Sequence, residues 1–85
     1  MDNIFSGIVD EKIRRILNVF INNKEELFHL YKLSKISKVP ISSSFRLVRK
    51  LVDSGVINII KIGKFKVYKL ADNKKTSVLI RFWEK

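Results

Sequence analysis

The chain has 85 residues, enough for one domain and too few for a separate catalytic or effector-binding module. Eighteen Lys and Arg stand against eight Asp and Glu, a formal net charge of +10, while 46% of the residues are hydrophobic; the charge points to a polyanionic partner, and the apolar content excludes disorder. There is no cysteine, which excludes disulfides and thiolate metal sites, and no run approaches the roughly 18 apolar residues of a membrane span.

The positive charge is concentrated. Residues 1–26 carry four basic and five acidic side chains, whereas residues 41–70 carry seven basic side chains against Asp53 alone. Lys32, Lys35 and Lys38 add to the segment between them. A polyanion is expected to dock on the second half of the chain. The N-terminal MDNIFSGIVDEK is acidic and lacks the basic start and apolar run of a signal peptide, so a cytoplasmic protein is expected.

Residues 4–9 (IFSGIV) read as a short arm or a helical lead-in. Asp10 suits the N-cap of a first helix, with Glu11 favoured in its first turn by the helix dipole. Ile13, Ile16, Leu17, Phe20 and Ile21 then fall at i, i+3, i+4, i+7 and i+8, one apolar stripe facing a core. Asn22 and Asn23 end it. Leu27 to Leu30 reads as a small strand leading into the next helix. His29, the only histidine, has no second ligand at a useful spacing and reads as structural.

A short helix over Tyr31–Ser37 turns Leu33 inward, with Leu30, Ile36 and Val39 as neighbours. Val39-Pro40 ends it, because the residue before proline is pushed out of the helical region. Ser42 or a neighbour is expected to cap the following helix. In that helix Ser44, Leu47, Val48, Leu51 and Val52 share one side, and Ser42, Phe45, Arg46, Arg49, Lys50 and Asp53 the other. Gly55 falls where a C′ glycine ends a helix.

Val56–Leu70 is rich in β-branched residues and carries Gly63-Lys64 at its centre, the signature of a two-residue hairpin loop. That loop puts Ile57, Ile59, Lys61, Lys66, Tyr68 and Leu70 on one face. Val56, Asn58, Ile60, Ile62, Phe65, Val67 and Lys69 form the other, which is more apolar than a lone hairpin presents to water, so a C-terminal helix or a second subunit is expected to cover it. In the tail, Val78, Ile80 and Phe82 alternate as in a strand, while Val78, Leu79, Phe82 and Trp83 fit a helical stripe. Asp72 or Asn73 as a cap favours the helix.

The order of elements, with Leu30-Tyr31-Lys32-Leu33-Ser34-Lys35, Val39-Pro40, Arg46-Leu47-Val48-Arg49-Lys50-Leu51, Gly55-Val56-Ile57 and Val67-Tyr68-Lys69-Leu70 followed by Asp72, resembles the winged helix-turn-helix regulators of the MarR and PadR type over roughly residues 10–75. Small Lys- and Ile-rich regulators of hyperthermophilic archaea and their viruses are similar. The resemblance implies an α+β fold with a three-helix core, a β-hairpin wing and a C-terminal helix over residues 71–85 that can serve in dimerisation. It implies a sequence-specific, double-stranded DNA-binding transcriptional regulator acting as a homodimer, nucleoid-associated or, if viral, in the host cytoplasm. The long dimerisation helices of MarR relatives and the Cys/His ligands of ArsR-type sensors are missing, so no small-molecule or metal effector is expected.

In such a fold the recognition helix, about residues 42–54, enters the major groove and the wing, about 56–70, lies on the backbone or minor groove. Arg46 and Arg49 are the choice for base or bidentate phosphate contacts, the alternative being a merely solvated helix face. Ser42 and Ser43 suit phosphate oxygens at the helix start, or act only as caps. Ile41 and Phe45 suit a thymine methyl, or Phe45 packs inside the protein. Lys61, Lys64 and Lys66 lie along the backbone or minor groove and supply affinity, or serve only solubility, and Lys38 and Lys50 are further DNA-binding candidates. Two other jobs fit the same fold: a protein–protein module using the apolar hairpin face and Trp83, and a non-specific chromatin-type DNA binder. With no Gly-rich phosphate loop, carboxylate cluster or partnered histidine, an enzyme is not expected and no cofactor is implied.

Overall fold

The structure, a computed structural model, describes residues 11–83. It contains α1 (Glu11–Asn22), α2 (Leu30–Ser37), α3 (Ile41–Asp53), the strands β1 (Ile57–Ile62) and β2 (Phe65–Leu70), and α4 (Lys74–Trp83). The expected Asp10 cap and the arm over residues 1–9 lie outside the described residues.

α1 buries Ile16, Leu17, Phe20 and Ile21 as the spacing predicts, and Val19 as well, so its apolar face is wider than one stripe. Glu11 pairs with Arg14 at 3.3 Å and with Arg15 at 3.6 Å, placing acid at the positive end of the helix. Phe20 meets Phe28 edge to face with centroids 5.4 Å apart, and both rings are buried. Around them pack Leu33, Val39, Leu47, Val48, Leu51, Ile57 and Leu70, which join all three N-terminal helices to the base of the hairpin.

The strands pair antiparallel with Ile57 opposite Leu70 and Ile62 opposite Phe65, so the loop is Gly63-Lys64 as expected. Gly63 has φ +60°, which only glycine adopts without strain, and Lys64 does not share that sign; a positive φ at the first loop position alone is the signature of a type II′ turn. Phe28 adds a one-residue bridge to β2, exchanging 2.8 Å hydrogen bonds with Tyr68 in both directions. The small strand expected near Phe28 is thus a single residue pair. β1 keeps one edge without a strand partner among the described residues.

α4 is a helix, and its start explains why. Asn73 Oδ1 accepts from Thr76 N at 2.9 Å while Thr76 Oγ1 accepts from Asn73 N at 3.1 Å, a reciprocal cap at both ends of the first turn. Thr76, Leu79, Ile80 and Trp83 face the protein, and Trp83 Nε1 donates to Asn18 Oδ1 of α1 at 3.1 Å. The stripe of Val78, Leu79, Phe82 and Trp83 is therefore split. Val78 and Phe82 point outward, Phe82 being 71% exposed. Thr76 takes the inward place because its hydroxyl is satisfied, donating to the Ala71 carbonyl at 2.7 Å.

Three further expectations are corrected. Ile36 is exposed, because α2 is only eight residues long and Leu33 and Ser37 already fill its inward row. No serine caps α3: Pro40 takes the N-cap position with extended backbone, and its carbonyl accepts from Ser44 N at 2.8 Å. The apolar hairpin face is covered only in part: Val56 at its base and Val67 are buried, while Ile60, opposite Val67, and Ile62 and Phe65 at the tip stay open because α4 packs along the core and not along the wing.

Candidate nucleic-acid interface

The turn between α2 and α3 is built on one carbonyl. Val39 O accepts from Ser34 Oγ at 2.6 Å and from Ser44 Oγ at 3.2 Å, so one hydroxyl from each helix converges on the connection between them. Ser44 is fully buried, and its small side chain lets α3 approach α2 closely. Lys38 enters this turn with φ 61° and ψ 35°, the left-handed conformation that a β-carbon disfavours. The lysine chain itself is exposed.

α3 then presents a polar face. Ser42, Arg46, Arg49 and Asp53 recur at i, i+4, i+7 and i+11 and are all exposed, flanked by Phe45 on one side and Lys50 on the other. Phe45 is 50% exposed, so it is not packed in the core. Ile41 and Ser42 are exposed and Ser43 is half-buried in the first turn. No side chain caps the amide groups there, so that end of the helix dipole stays open to an anion.

The helix ends in a Schellman motif. Gly55 N donates to Val52 O and Val56 N to Leu51 O, both at 3.0 Å, with Gly55 at φ +85°. This reversal brings β1 back beside α3. Between them opens a cleft of about 280 Å³ lined by Phe45, Arg49, Val52 and Asp53 from the helix and by Ile59, Lys61, Lys66 and Tyr68 from the hairpin. Its floor is apolar and its rim carries three cations.

Of the residues expected at the site, the structure thus gathers Phe45, Arg49, Lys61 and Lys66 around one cleft. Arg46 and Lys50 are exposed on the same helix outside it, Lys64 is at the hairpin tip, and Lys38, Ile41, Ser42 and Ser43 lie at the opposite end of α3. Val52, Asp53, Ile59 and Tyr68 line the cleft without having been expected there. The hairpin faces already put Ile59 and Tyr68 with Lys61 and Lys66; their apolar character pointed to core instead.

Electrostatically the cleft is poised for an anion. Lys61 and Lys66 are directly opposite in the strand register, and like charges at such positions are destabilising. Glu11, Glu25 and Glu26 pair with Arg14, Arg15, Lys69 and Lys32, all away from this cleft. No carboxylate pairs with Arg46, Arg49, Lys61 or Lys66 among the described residues. Asp53 is the one acid in the cleft, at the last residue of the helix.

These elements define a winged helix-turn-helix: α2, turn and α3 over a core closed by α1, with the hairpin as wing. Among solved structures the chain is similar to the ferric uptake regulator from Francisella tularensis with iron, at 22% identity and TM-score 0.70 over 78% of this chain and 55% of that one. It is similar to the MarR family transcriptional regulator SPO1453 from Silicibacter pomeroyi DSS-3, at 17% identity and TM-score 0.70 over 95% of this chain and 56% of that one. It is also similar to HlyU from Vibrio cholerae N16961, at 17% identity and TM-score 0.67 over 98% of this chain and 92% of that one. The chain spans little more than half the length of the first two. At these identities the likeness establishes the fold. No protein-family model and no characterised protein sequence matches the chain.

The iron of the first neighbour has no counterpart in the donor set here. Among the described residues no group of three His, Cys, Asp or Glu side chains is placed to hold a metal. No helix among them is long and apolar enough to cross a membrane.

Proposed function

We propose that the chain is a DNA-binding transcriptional regulator that reads duplex DNA with α3 in the major groove and the hairpin on the adjoining backbone. The observation that carries this reading is the Lys61–Lys66 pair facing Arg49 across the cleft. Three cations line the cleft against Asp53 alone, and none of them is ion-paired among the described residues, an arrangement that lowers the stability of the free protein and gains from a bound phosphate backbone. Two of the solved neighbours are regulators by name, which supports the same class.

In this reading Arg46 and Arg49 reach base edges, where a guanidinium pairs bidentately with guanine. The uncapped amides at Ile41–Ser43, with the Ser42 hydroxyl, take a phosphate oxygen, as does Lys38 beside them. Ile41 and Phe45 offer apolar contact to a thymine methyl. Lys50, Lys61, Lys64 and Lys66 follow the backbone. Two copies on half-sites one helical turn apart complete the site. The outward Val78 and Phe82 of α4 support a two-fold contact there, since both are open in the single chain.

Selection of bound duplexes from a random pool tests binding, specificity and half-site spacing together. An enriched motif with two halves about 10 base pairs apart is the expected result. Binding that is equal on all sequences would leave a non-specific DNA-coating role, and salt-insensitive protein capture with no duplex binding would leave a protein–protein module.

A further inference from the structure

The tip of the hairpin is the most exposed apolar part of the wing. Ile62 and Phe65 form the cross-strand pair that flanks the Gly63-Lys64 loop, and they are 53% and 66% exposed. The ring contact recorded for Phe65 is with His29, itself exposed, edge-on with centroids 6.5 Å apart. The core gains nothing from either side chain at this position, so their apolar character calls for a partner.

The charge around the pair says what kind. From Ser54 to Ala71 the chain has no acid and four lysines: Lys61, Lys64, Lys66 and Lys69. Lys61 and Lys66 are one residue below the apolar pair on each strand, and Lys64 is in the loop above it. Side chains alternate along a strand, so Ile62 and Phe65 leave one face of the hairpin and Lys61 and Lys66 the other. A tip apolar on one face and cationic on the other matches a partner that is anionic outside and apolar within, and duplex DNA is built that way. A second copy docking here would bring lysines against lysines. An anionic lipid surface is flat, whereas Arg49, Lys61 and Lys66 line a concave cleft that fits a ridge such as a phosphate backbone.

Resting on the DNA-binding reading above, we propose that Ile62 and Phe65 form a wedge that enters the minor groove, opens a base step and kinks the duplex. With one strand's backbone in the cleft, α3 is on its major-groove side and the hairpin tip crosses to the minor-groove side. A strand advances about 3.3 Å per residue, so the apolar pair reaches just past the phosphates held by Lys61 and Lys66. Apolar side chains inserted in this way kink DNA by roughly 20–90°, most readily at flexible pyrimidine–purine steps.

The test uses the full chain and a duplex taken from the selection, carrying a donor and an acceptor dye at its ends and 2-aminopurine at successive minor-groove steps. Wild type should shorten the end-to-end distance and brighten 2-aminopurine at one step. The Ile62→Ala, Phe65→Ala double variant should lose both signals and bind about tenfold more weakly, the scale of one lost base–side-chain stacking contact. Phe65→Leu should keep most of the kink, and Lys64→Ala should weaken binding without straightening the duplex. All three positions are exposed, and circular dichroism of each variant confirms the fold. A duplex that stays straight under bound wild type, or bends equally under the double variant, overturns the wedge alone. No duplex binding by wild type overturns the DNA reading and the wedge with it. Two outcomes reassign the tip and overturn the proposal: phosphatidylserine vesicle binding that depends on Phe65 while DNA bending does not, and a change of oligomeric state in the double variant.

Discussion

Lys75 Nζ donates a 2.6 Å hydrogen bond to the carbonyl of Ser54, the residue that caps the C-terminal end of α3. The ammonium thus sits at the negative end of the helix dipole, and it comes from the first turn of the C-terminal helix. Two residues earlier, Asn73 Nδ2 donates to Gly55 O at 2.9 Å while its Oδ1 caps α4. α3 and α4 are therefore fastened end to end through two side chains.

Asn73→Ala removes the cap and the link to Gly55 together. A loss of about 0.5–2 kcal/mol is expected from the cap. In a domain of this size each kcal/mol lowers Tm by roughly 4–8 °C, so thermal unfolding followed by circular dichroism should show a clear drop. Asn73→Asp keeps the cap oxygen and loses the donor to Gly55, and it should fall between the two. An Asn73→Ala protein that melts with wild type would dissolve this account of how α4 starts.

Lys38 sets stability against binding. Its left-handed backbone costs about 1–2 kcal/mol with a β-carbon, and glycine relieves that at an entropic penalty of roughly 0.5–1 kcal/mol. Lys38→Gly should therefore stabilise the protein slightly in urea unfolding, while weakening duplex binding by removing a cation beside α3. Stability and affinity moving in the same direction would contradict the assignment.

Arg46→Ala should lose about 1–3 kcal/mol at the cognate duplex and relax preference at one base pair. Lys66→Ala should weaken cognate and random duplex alike, and it should also remove the repulsion with Lys61, leaving the free protein as stable as wild type or more so. Anisotropy titrations at several salt concentrations separate the two roles. Wild type making roughly 6–10 phosphate contacts as a dimer should lose about 10³–10⁵ in affinity from 50 to 200 mM salt.

Ser44→Val tests the close approach of α2 and α3. The buried hydroxyl is lost from Val39 O, one methyl takes its place and the second has no space between the helices, so a loss of about 1–3 kcal/mol is expected. Ser44→Ala loses only the weaker of the two hydroxyl contacts on that carbonyl and should be far milder. Equal effects would show that packing is not what selects serine there.

Where structure is dictated locally, the residues themselves were enough to read it. The α1 stripe, the Gly55 helix stop, the Gly63-Lys64 turn and the two hairpin faces all follow from spacing and from glycine's access to positive φ. What escaped was decided by which polar groups find hydrogen-bond partners, which residue type alone does not show. Thr76 is in the core because the Ala71 carbonyl and Asn73 satisfy its hydroxyl, and this rotates α4 away from the apolar stripe its residue types suggest. Ser42 looked like a cap, but Pro40 holds that place, and the hydroxyl used at the turn belongs to Ser44. At the site, the cations were legible from composition. The cleft that unites Arg49 with Lys61 and Lys66 depends on the Schellman reversal at Gly55, and the apolar floor of Ile59 and Tyr68 resembled core in the sequence.

Among the described residues one edge of β1 has no strand partner, which gives the wing a second liability besides charge repulsion. Ile57–Ile62 holds four isoleucines, one asparagine and one lysine, and it runs along a free row of backbone donors and acceptors. Short, β-prone, nearly uncharged segments of this kind are templates for cross-β stacking, and Lys61 is the single gatekeeper within it. The lysine offered to a polyanion is thus also the one that keeps neighbouring chains from adding strands to this edge. Replacing Lys61 with an uncharged residue should therefore raise the tendency to form fibrils, which thioflavin fluorescence of the purified variant would report.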